Sequence, residues 1–301
     1  MIAMRSLVVA ACLAASCWAQ LPVAHPLFDG DAVHDIYLFF ESSNWYEQLR
    51  ANFEGKDDPE YMEATLVWND LTLEKVGVRF KGNSSYRTYP GTKKSFKIKT
   101  NEFVKGRRIQ GIDTLNLNNA FKDPSYVREK IYYELARDSG LKAPRTNYSA
   151  LYVNGIYWGL YFLTEDIDGE FLENHLGPGE NGNMYKGDPR GTLEWRGPDT
   201  APYRREYEKD NNEDADDWTD LVAFIDVLNR TPREQLKERL DAILDVDSAL
   251  TLLALDNLTA NLDSYIGSGH NYYLYRRNAD GKSMFLPWDV QMRPMATSTW
   301  D

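Results

Sequence analysis

Alternating and helically spaced apolar positions divide the chain into a strand-rich first half and a helix-rich second half. His34–Phe40 (HDIYLFF) is β-branched and aromatic enough for a buried strand. A short helix is expected over Asn44–Phe53, then strands over Glu63–Trp68 and Glu74–Phe80, joined by Asn69-Asp70. Ser95–Lys99 (SFKIK) alternates strictly, placing Phe96 and Ile98 on one face and Lys97 and Lys99 on the other. Ser149–Thr164 reads as two strands around Asn154-Gly155, and the acidic stretch Glu165–Gly169 leads into a helix. Between these lies a helix with Asp123 as its cap, Pro124 at its first position and Gly140 as its stop. Its apolar stripe is Val127, Ile131 and Leu135; on the helical wheel Glu134 and Asp138 fall beside that stripe while Glu129 faces away.

The second half is dominated by helical spacing. Leu221, Phe224, Ile225 and Leu228 recur on one face of the first helix. Thr231-Pro232-Arg233-Glu234 reads as a capping box opening a second, which carries Leu236, Leu240, Ile243 and Leu244. Asp247-Ser248 caps a third, which ends in the apolar run Ala249–Ala260. The pattern then returns to strands. HNYYLY, the pair Asp280-Gly281 and SMFLPW form a β-hairpin that ends at Asp289. The fold class expected from this order is α+β.

Composition narrows the function classes. The 301 residues are 43% hydrophobic, enough for one large or two-lobed unit. A net charge of −12 argues against a sequence-independent grip on nucleic acid and against an anionic membrane surface. Glu206–Asp220 is a local acidic run; it lacks the glycine and terminal glutamate of an EF-hand, so a solvated loop is expected. Met1–Ala19 has the form of a secretory leader, with Arg5, an apolar run Leu7–Ala15 and the small residue Ala19 before the cleavage point. Cys12 and Cys17 both lie inside it, so the mature chain from Gln20 would hold no disulfide. Lipidation at Cys17 is the lesser expectation, because Ala14 stands where a larger aliphatic residue is usual. No later segment is apolar enough to span a bilayer, so a secreted or envelope location without stable membrane insertion is expected.

Three polar residues, Asp263, Asn271 and Asp289, converge at one end of the hairpin in the order that phosphoryl transfer from Mg-ATP requires. An Asp orients the acceptor hydroxyl, while an Asn and a second Asp hold the metal. The bland alternative is a helix cap followed by strand-end carboxylates. A second candidate segment runs from Arg79 and Lys81 through Gly82-Asn83-Ser84-Ser85, a small-residue turn able to bring N–H groups to an anion, and on to the lysines of the next strand. Exposed lysines on an edge strand are also ordinary protection against aggregation. Glu134 could pair with a lysine from SFKIK or be a plain surface residue.

In four stretches taken in order, VRFKGNSS with KKSFKIK, DPSYVREK with ELARDSGLKAPR, LYVNGIYWGLYFLTEDID, and NLDSY with HNYYLY and PWD, the chain resembles the CotH kinase family of bacterial spore-coat protein H-like proteins. The resemblance implies a two-lobed, atypical protein-kinase-like fold, with ATP and Mg²⁺ (or Mn²⁺) as cofactors and Ser or Thr of proteins as acceptor. It implies Asp263 as the catalytic carboxylate and Asn271 and Asp289 near the metal. In that reading Arg79, Lys81, Gly82, Asn83, Ser84, Lys94, Lys97 and Lys99 face the triphosphate. Glu134, less favourably Glu129, orients one lysine, and the hinge at Glu165 and Ile167 holds adenine. The implied layout is a leader over 1–19, a linker over 20–33, an N-lobe over 34–164, a hinge over 165–169 and a C-lobe over 170–301. The sequence departs from the family after PWD, where Gln291 stands in place of an acid or amide, which keeps open an inactive pseudokinase serving the envelope or coat. About a dozen residues follow Asp289, and the helices over Trp218–Ala260 are expected to leave an apolar face uncovered.

Overall fold

The computed structural model describes residues 25–290 apart from 29, 31 and 56–58; the expected leader, both cysteines and Gln291 lie outside the described residues. The first half holds β1 (Val33–Phe39), α1 (Trp45–Glu54), β2 (Met62–Trp68), β3 (Leu71–Lys81), α2 (Ser84–Arg87), β4 (Ser95–Lys99), β5 (Thr114–Asn118), α3 (Arg128–Asp138), β6 (Thr146–Val153) and β7 (Ile156–Glu165). Its strands close into a barrel in the order β1-β2-β3-β4-β5-β7-β6. The closing pair, β1 with β6, is parallel, with Val33 opposite Tyr148 and Leu38 opposite Val153. Because side chains alternate along a strand, Ile36, Leu66, Val78, Phe80, Phe96, Ile98, Leu115 and Leu117 fill the interior. The same alternation turns Arg79, Lys81, Lys97, Asn116 and Asn118 outward on β3, β4 and β5. At the β6–β7 turn Asn154 and Gly155 have φ of 48° and 80°, the doubly left-handed pair that a tight hairpin of this hand needs.

The second half contains α4 (Gly169–Leu176), β8 (Met184–Gly187), β9 (Tyr207–Lys209), α5 (Thr219–Arg230), α6 (Arg233–Ile243), α7 (Val246–Leu258), β10 (Tyr272–Arg276) and β11 (Ser283–Pro287). Its four strands form an antiparallel sheet ordered β11-β10-β8-β9. The anticipated hairpin is present as β10 and β11, with a looser six-residue turn closed by Arg277 N–H on the Lys282 carbonyl at 2.9 Å. The helices pack Leu221, Phe224, Ile225, Leu252 and Leu255 against this sheet, and Tyr132 and Tyr133 of α3 join the same cluster. The α+β class expected from the sequence holds, and the strands of the first half close into a barrel.

Several local expectations change. Helix α3 begins at Arg128, not Pro124; Asp123 still caps it from a distance, its Oδ2 accepting from Arg128 N–H at 3.0 Å. Gly140 ends it as expected, with Gly140 N–H on the Arg137 carbonyl and Leu141 N–H on the Ala136 carbonyl, both at 2.9 Å. The stripe Val127, Ile131 and Leu135 is 40%, 43% and 39% exposed, and the face turned inward carries Glu129, Tyr132, Tyr133 and Ala136. The capping box before α6 does not form, because Pro232 occupies the cap and no side chain bonds to the first turn. Asp245, rather than Asp247, caps α7 by accepting from Ser248 N–H at 3.1 Å. The acidic run is partly ordered: Tyr207–Lys209 forms the edge strand β9, and Asp220 accepts from Asn183 at 3.0 Å. Helices α5 to α7 border an apolar cavity of about 180 Å³ lined by Phe224, Leu228, Leu240, Leu244, Leu250 and Leu253.

Candidate active site

The outward face of β3, β4 and β5 meets α3 and the end of β11, and charged groups collect there. Lys97 on β4 pairs with Asp166, just past β7, at 2.7 Å. Asn116 lies directly across from Lys97 in the β4–β5 register. It is wholly buried and joins the next two groups, donating Nδ2–H to Asp166 Oδ1 at 3.0 Å and accepting from Lys81 Nζ at 2.9 Å. The Lys81 ammonium also sits 5.1 Å over the Trp288 ring, at the end of β11. Burial pushes Lys81 down to about 8, opposed by the negative charges of Asp166 and Asp289.

Glu129 is the carboxylate that α3 turns into this region. Its Oε1 accepts from Asn118 Nδ2 at 2.7 Å and from Thr164 Oγ1 at 2.5 Å. Burial raises it to about 7, against those two hydrogen bonds and with help from the charge of Asp289. A small cavity is lined by Lys81, Gly82, Asn118, Arg128, Glu129 and Asp289 together. A polar cleft of about 820 Å³ opens beside it, between a basic wall of Arg79, Lys97 and Lys99 and an acidic wall that includes Asp113, Asp166, Asp168 and Glu170. Burial and the neighbouring Asp166 push Asp168 up to about 8. Carboxylate oxygens of Asp113, Asp168 and Glu170 lie within 4.8 Å of one another on that wall.

Trp288 N–H bonds the Asn271 carbonyl at 3.2 Å, so Asn271 and Asp289 flank the last rung of the β10–β11 pair. Both adopt left-handed backbone, with φ of 59° and 46°. That conformation costs of order 1–3 kcal/mol per non-glycine residue and gathers at functional sites. Asn271 Nδ2–H donates to the Asp263 carbonyl at 2.7 Å, tying the loop after α7 to the hairpin. The Asp263 carboxylate accepts from Ser268 at 3.2 Å and lies 2.7 Å from His270 Nε2. His270 is held above its ordinary pKa by that bond to Asp263, with the charges of Asp188 and Asp289 acting in the same direction. Asp263, Asn271 and Asp289 therefore occupy one neighbourhood. An Asn amide whose nitrogen is committed leaves its oxygen, and with the Asp289 carboxylate this is a hard-oxygen donor set suited to Mg²⁺ or Mn²⁺.

Other anticipated site residues fall elsewhere. Glu134 is half-exposed and pairs with Lys130 on its own helix at 2.8 Å, not with a lysine of β4, and the carboxylate α3 turns inward is Glu129. The apolar stripe is not the buried face of α3, so the wheel points Glu129 outward. Lys94 donates to the carbonyls of Tyr86 and Tyr89, both at 2.7 Å, away from the cleft, since it precedes the alternating strand. Asn83 and Ser84 are exposed and border neither cavity, whereas Gly82 lines the smaller one. Arg79 and Lys99 line the larger cleft; Arg79 stacks on Tyr61 at 4.9 Å, and Lys99 lies 3.7 Å from Glu102. Ile167 borders that cleft too. Glu165 does not: it is fully buried in an ion pair with Arg145 at 2.5 Å and a contact with His175 at 2.9 Å. It fastens the end of β7 to β6.

The sequence reading overlooked Asn116, Asn118, Asp166 and His270. A signal for the first two was present: in TLNLN, Leu115 and Leu117 alternate with Asn116 and Asn118, so the asparagines share one face. Asp166 and His270 carry no such local mark.

The family described as CotH kinase protein matches residues 78–297. The inner spore coat protein H of Bacillus subtilis (strain 168) is 28% identical over 263 residues, covering 84% of this chain and 67% of that relative. The matched stretch runs from the middle of β3 past Asp289 and so includes Lys81, Glu129, Asp263 and Asn271. This chain belongs to the CotH kinase protein family.

Proposed function

We propose that the protein is an exported, Mg-ATP-dependent protein kinase of the CotH type that phosphorylates Ser or Thr of envelope or coat proteins. The observation that carries this reading is the meeting of Lys81, Glu129 and Asp289 at one cavity, with Asp263 and Asn271 joined to each other at the hairpin end that carries Asp289. Lys81, Arg128 and the backbone at Gly82 would receive the phosphates. The base and ribose would lie in the larger cleft beside Ile167 and Asp166. Asp289 and Asn271 would hold the cation, which neutralises charge developing between the β- and γ-phosphates. Asp263, oriented by His270, would place the acceptor hydroxyl and take its proton. In this layout the barrel serves as the nucleotide-side lobe over 34–164, 165–169 as the connector and 170–301 as the acceptor-side lobe. The name of the Bacillus subtilis relative favours a coat location.

Titration calorimetry with ATP and Mg²⁺ or Mn²⁺ tests the reading. Wild type should bind, Asp289→Asn should lose metal-dependent binding with its thermal midpoint retained, and Asp263→Ala should bind ATP yet transfer no label to protein. Absence of nucleotide binding by wild type would sink the proposal. Gln291, which departs from the family pattern, favours a second reading as an inactive coat component; binding by wild type without transfer would select it.

A further inference from the structure

The Lys81 side chain has an unusual set of partners for a lysine in a charged interior. Among the described ion pairs it meets no carboxylate; its ammonium is received by the neutral Asn116 Oδ1 at 2.9 Å and the face of Trp288. Asn116 is wholly buried in the barrel wall, and both ends of its amide are engaged. The charges on either side fix which way it points. Its N–H₂ faces the Asp166 carboxylate and its oxygen faces the ammonium, so flipping it would place like partners together at both ends. Asp166 is in turn held by Lys97 at 2.7 Å. A chain of four side chains thus runs Lys97, Asp166, Asn116, Lys81 across three adjacent strands and the end of β7. Its last member lines the cavity that Asp289 and Glu129 share.

We propose that Asn116 is a positioning residue that holds the Lys81 ammonium, without neutralising it, in place for the phosphates of a nucleoside triphosphate. A carboxylate in its position would pair with Lys81 and compete with an anionic ligand. An amide fixes the same geometry and forms no ion pair with the ammonium. Charge-assisted hydrogen bonds to phosphate are about twice as strong as neutral ones, so keeping that charge available matters more than the single bond the amide contributes. Asp166, anchored by Lys97, stops the amide from rotating. The inference rests on the ATP-binding reading above and adds which residue makes its lysine competent.

The test separates the phosphate-dependent part of binding from the rest. Dissociation constants for Mg-ATP and for adenosine are measured by calorimetry on wild type and Asn116→Leu, with thermal midpoints recorded alongside. The expected result is about a tenfold loss for Mg-ATP, equivalent to about 1.4 kcal/mol, with adenosine unchanged. Where Asn116→Leu fails to fold, Asn116→Ser is read in the same way, since a hydroxyl is too short to span Lys81 and Asp166. Equal weakening of both ligands would mark Asn116 as merely structural and overturn the proposal, as would Mg-ATP affinity within twofold of wild type. Wild type that binds neither ligand would remove the ATP reading itself and this inference with it.

Discussion

Glu165 and Glu129 are both buried carboxylates, and their surroundings drive them in opposite directions. Burial alone would raise Glu165, but His175 and Arg145 overcome it and hold the group at about 2, below its ordinary 4.5. A carboxyl depressed on folding contributes stability that is full above pH 4.5 and lost as pH falls toward 2. Glu165→Ala should destabilise by about 3–5 kcal/mol by leaving Arg145 buried and unpaired, and Glu165→Gln should flatten the stability curve between pH 4.5 and 2 in urea titrations. Glu129, raised to about 7, has the reverse sign: its contribution is full below pH 4.5 and lost as pH rises through 7. Relative to wild type, Glu129→Gln should therefore gain stability between pH 5 and pH 8, by up to about 3 kcal/mol, and a pH-independent difference would contradict the assignment. Neither environment could be read from the sequence. Glu165 was placed in a ligand-facing hinge, and the partners that bury it, Arg145 and His175, stand well apart from it along the chain.

At the scale of elements, α3 is the instructive case. Its C-terminal stop at Gly140 was legible, because that signal is local, but its start, four residues beyond Pro124, and its inward face were not. Spacing favoured Val127, Ile131 and Leu135, yet the fold buries Tyr132 and Tyr133 and turns Glu129 toward the small cavity. The aromatic rings bring more area into the core than the aliphatic stripe would, and the Tyr132 hydroxyl finds the Asp256 carboxylate at 2.6 Å. Tyr133→Ala should therefore cost about 3–5 kcal/mol, whereas Ile131→Glu should stay within about 0.5 kcal/mol of wild type. Denaturant midpoints of the two variants decide between the faces, and the reverse order would restore the sequence wheel. The β10–β11 hairpin shows the opposite outcome: its strands, and the delivery of Asn271 and Asp289 to one end, follow from pairs of residues close in sequence.

At the scale of the whole molecule, the barrel depends on pieces that lie outside the family match, which begins at residue 78. β1 and β2 supply Ile36, Leu38, Ala64 and Leu66 to the core, and β1 closes the barrel by pairing with both β2 and β6. A chain trimmed to 78–297 should show no cooperative thermal unfolding by circular dichroism, while one starting at residue 25 should retain it; cooperative melting of the shorter chain would show that closure is dispensable. The sequence by itself determined the α+β order of elements, the alternation that puts Lys97 opposite Phe96, and the Asp-Asn-Asp constellation around one hairpin. These follow from periodicity and from turns, which act over a few residues. The tertiary structure alone decided that the strands close into a barrel, that Lys81 and not Lys94 lines the small cavity with Asp289, and that Asp166 rather than a helix glutamate pairs with Lys97. Those outcomes turn on parallel pairing between distant strands and on the cost of burying charge, which is set by whichever partners the fold brings within reach.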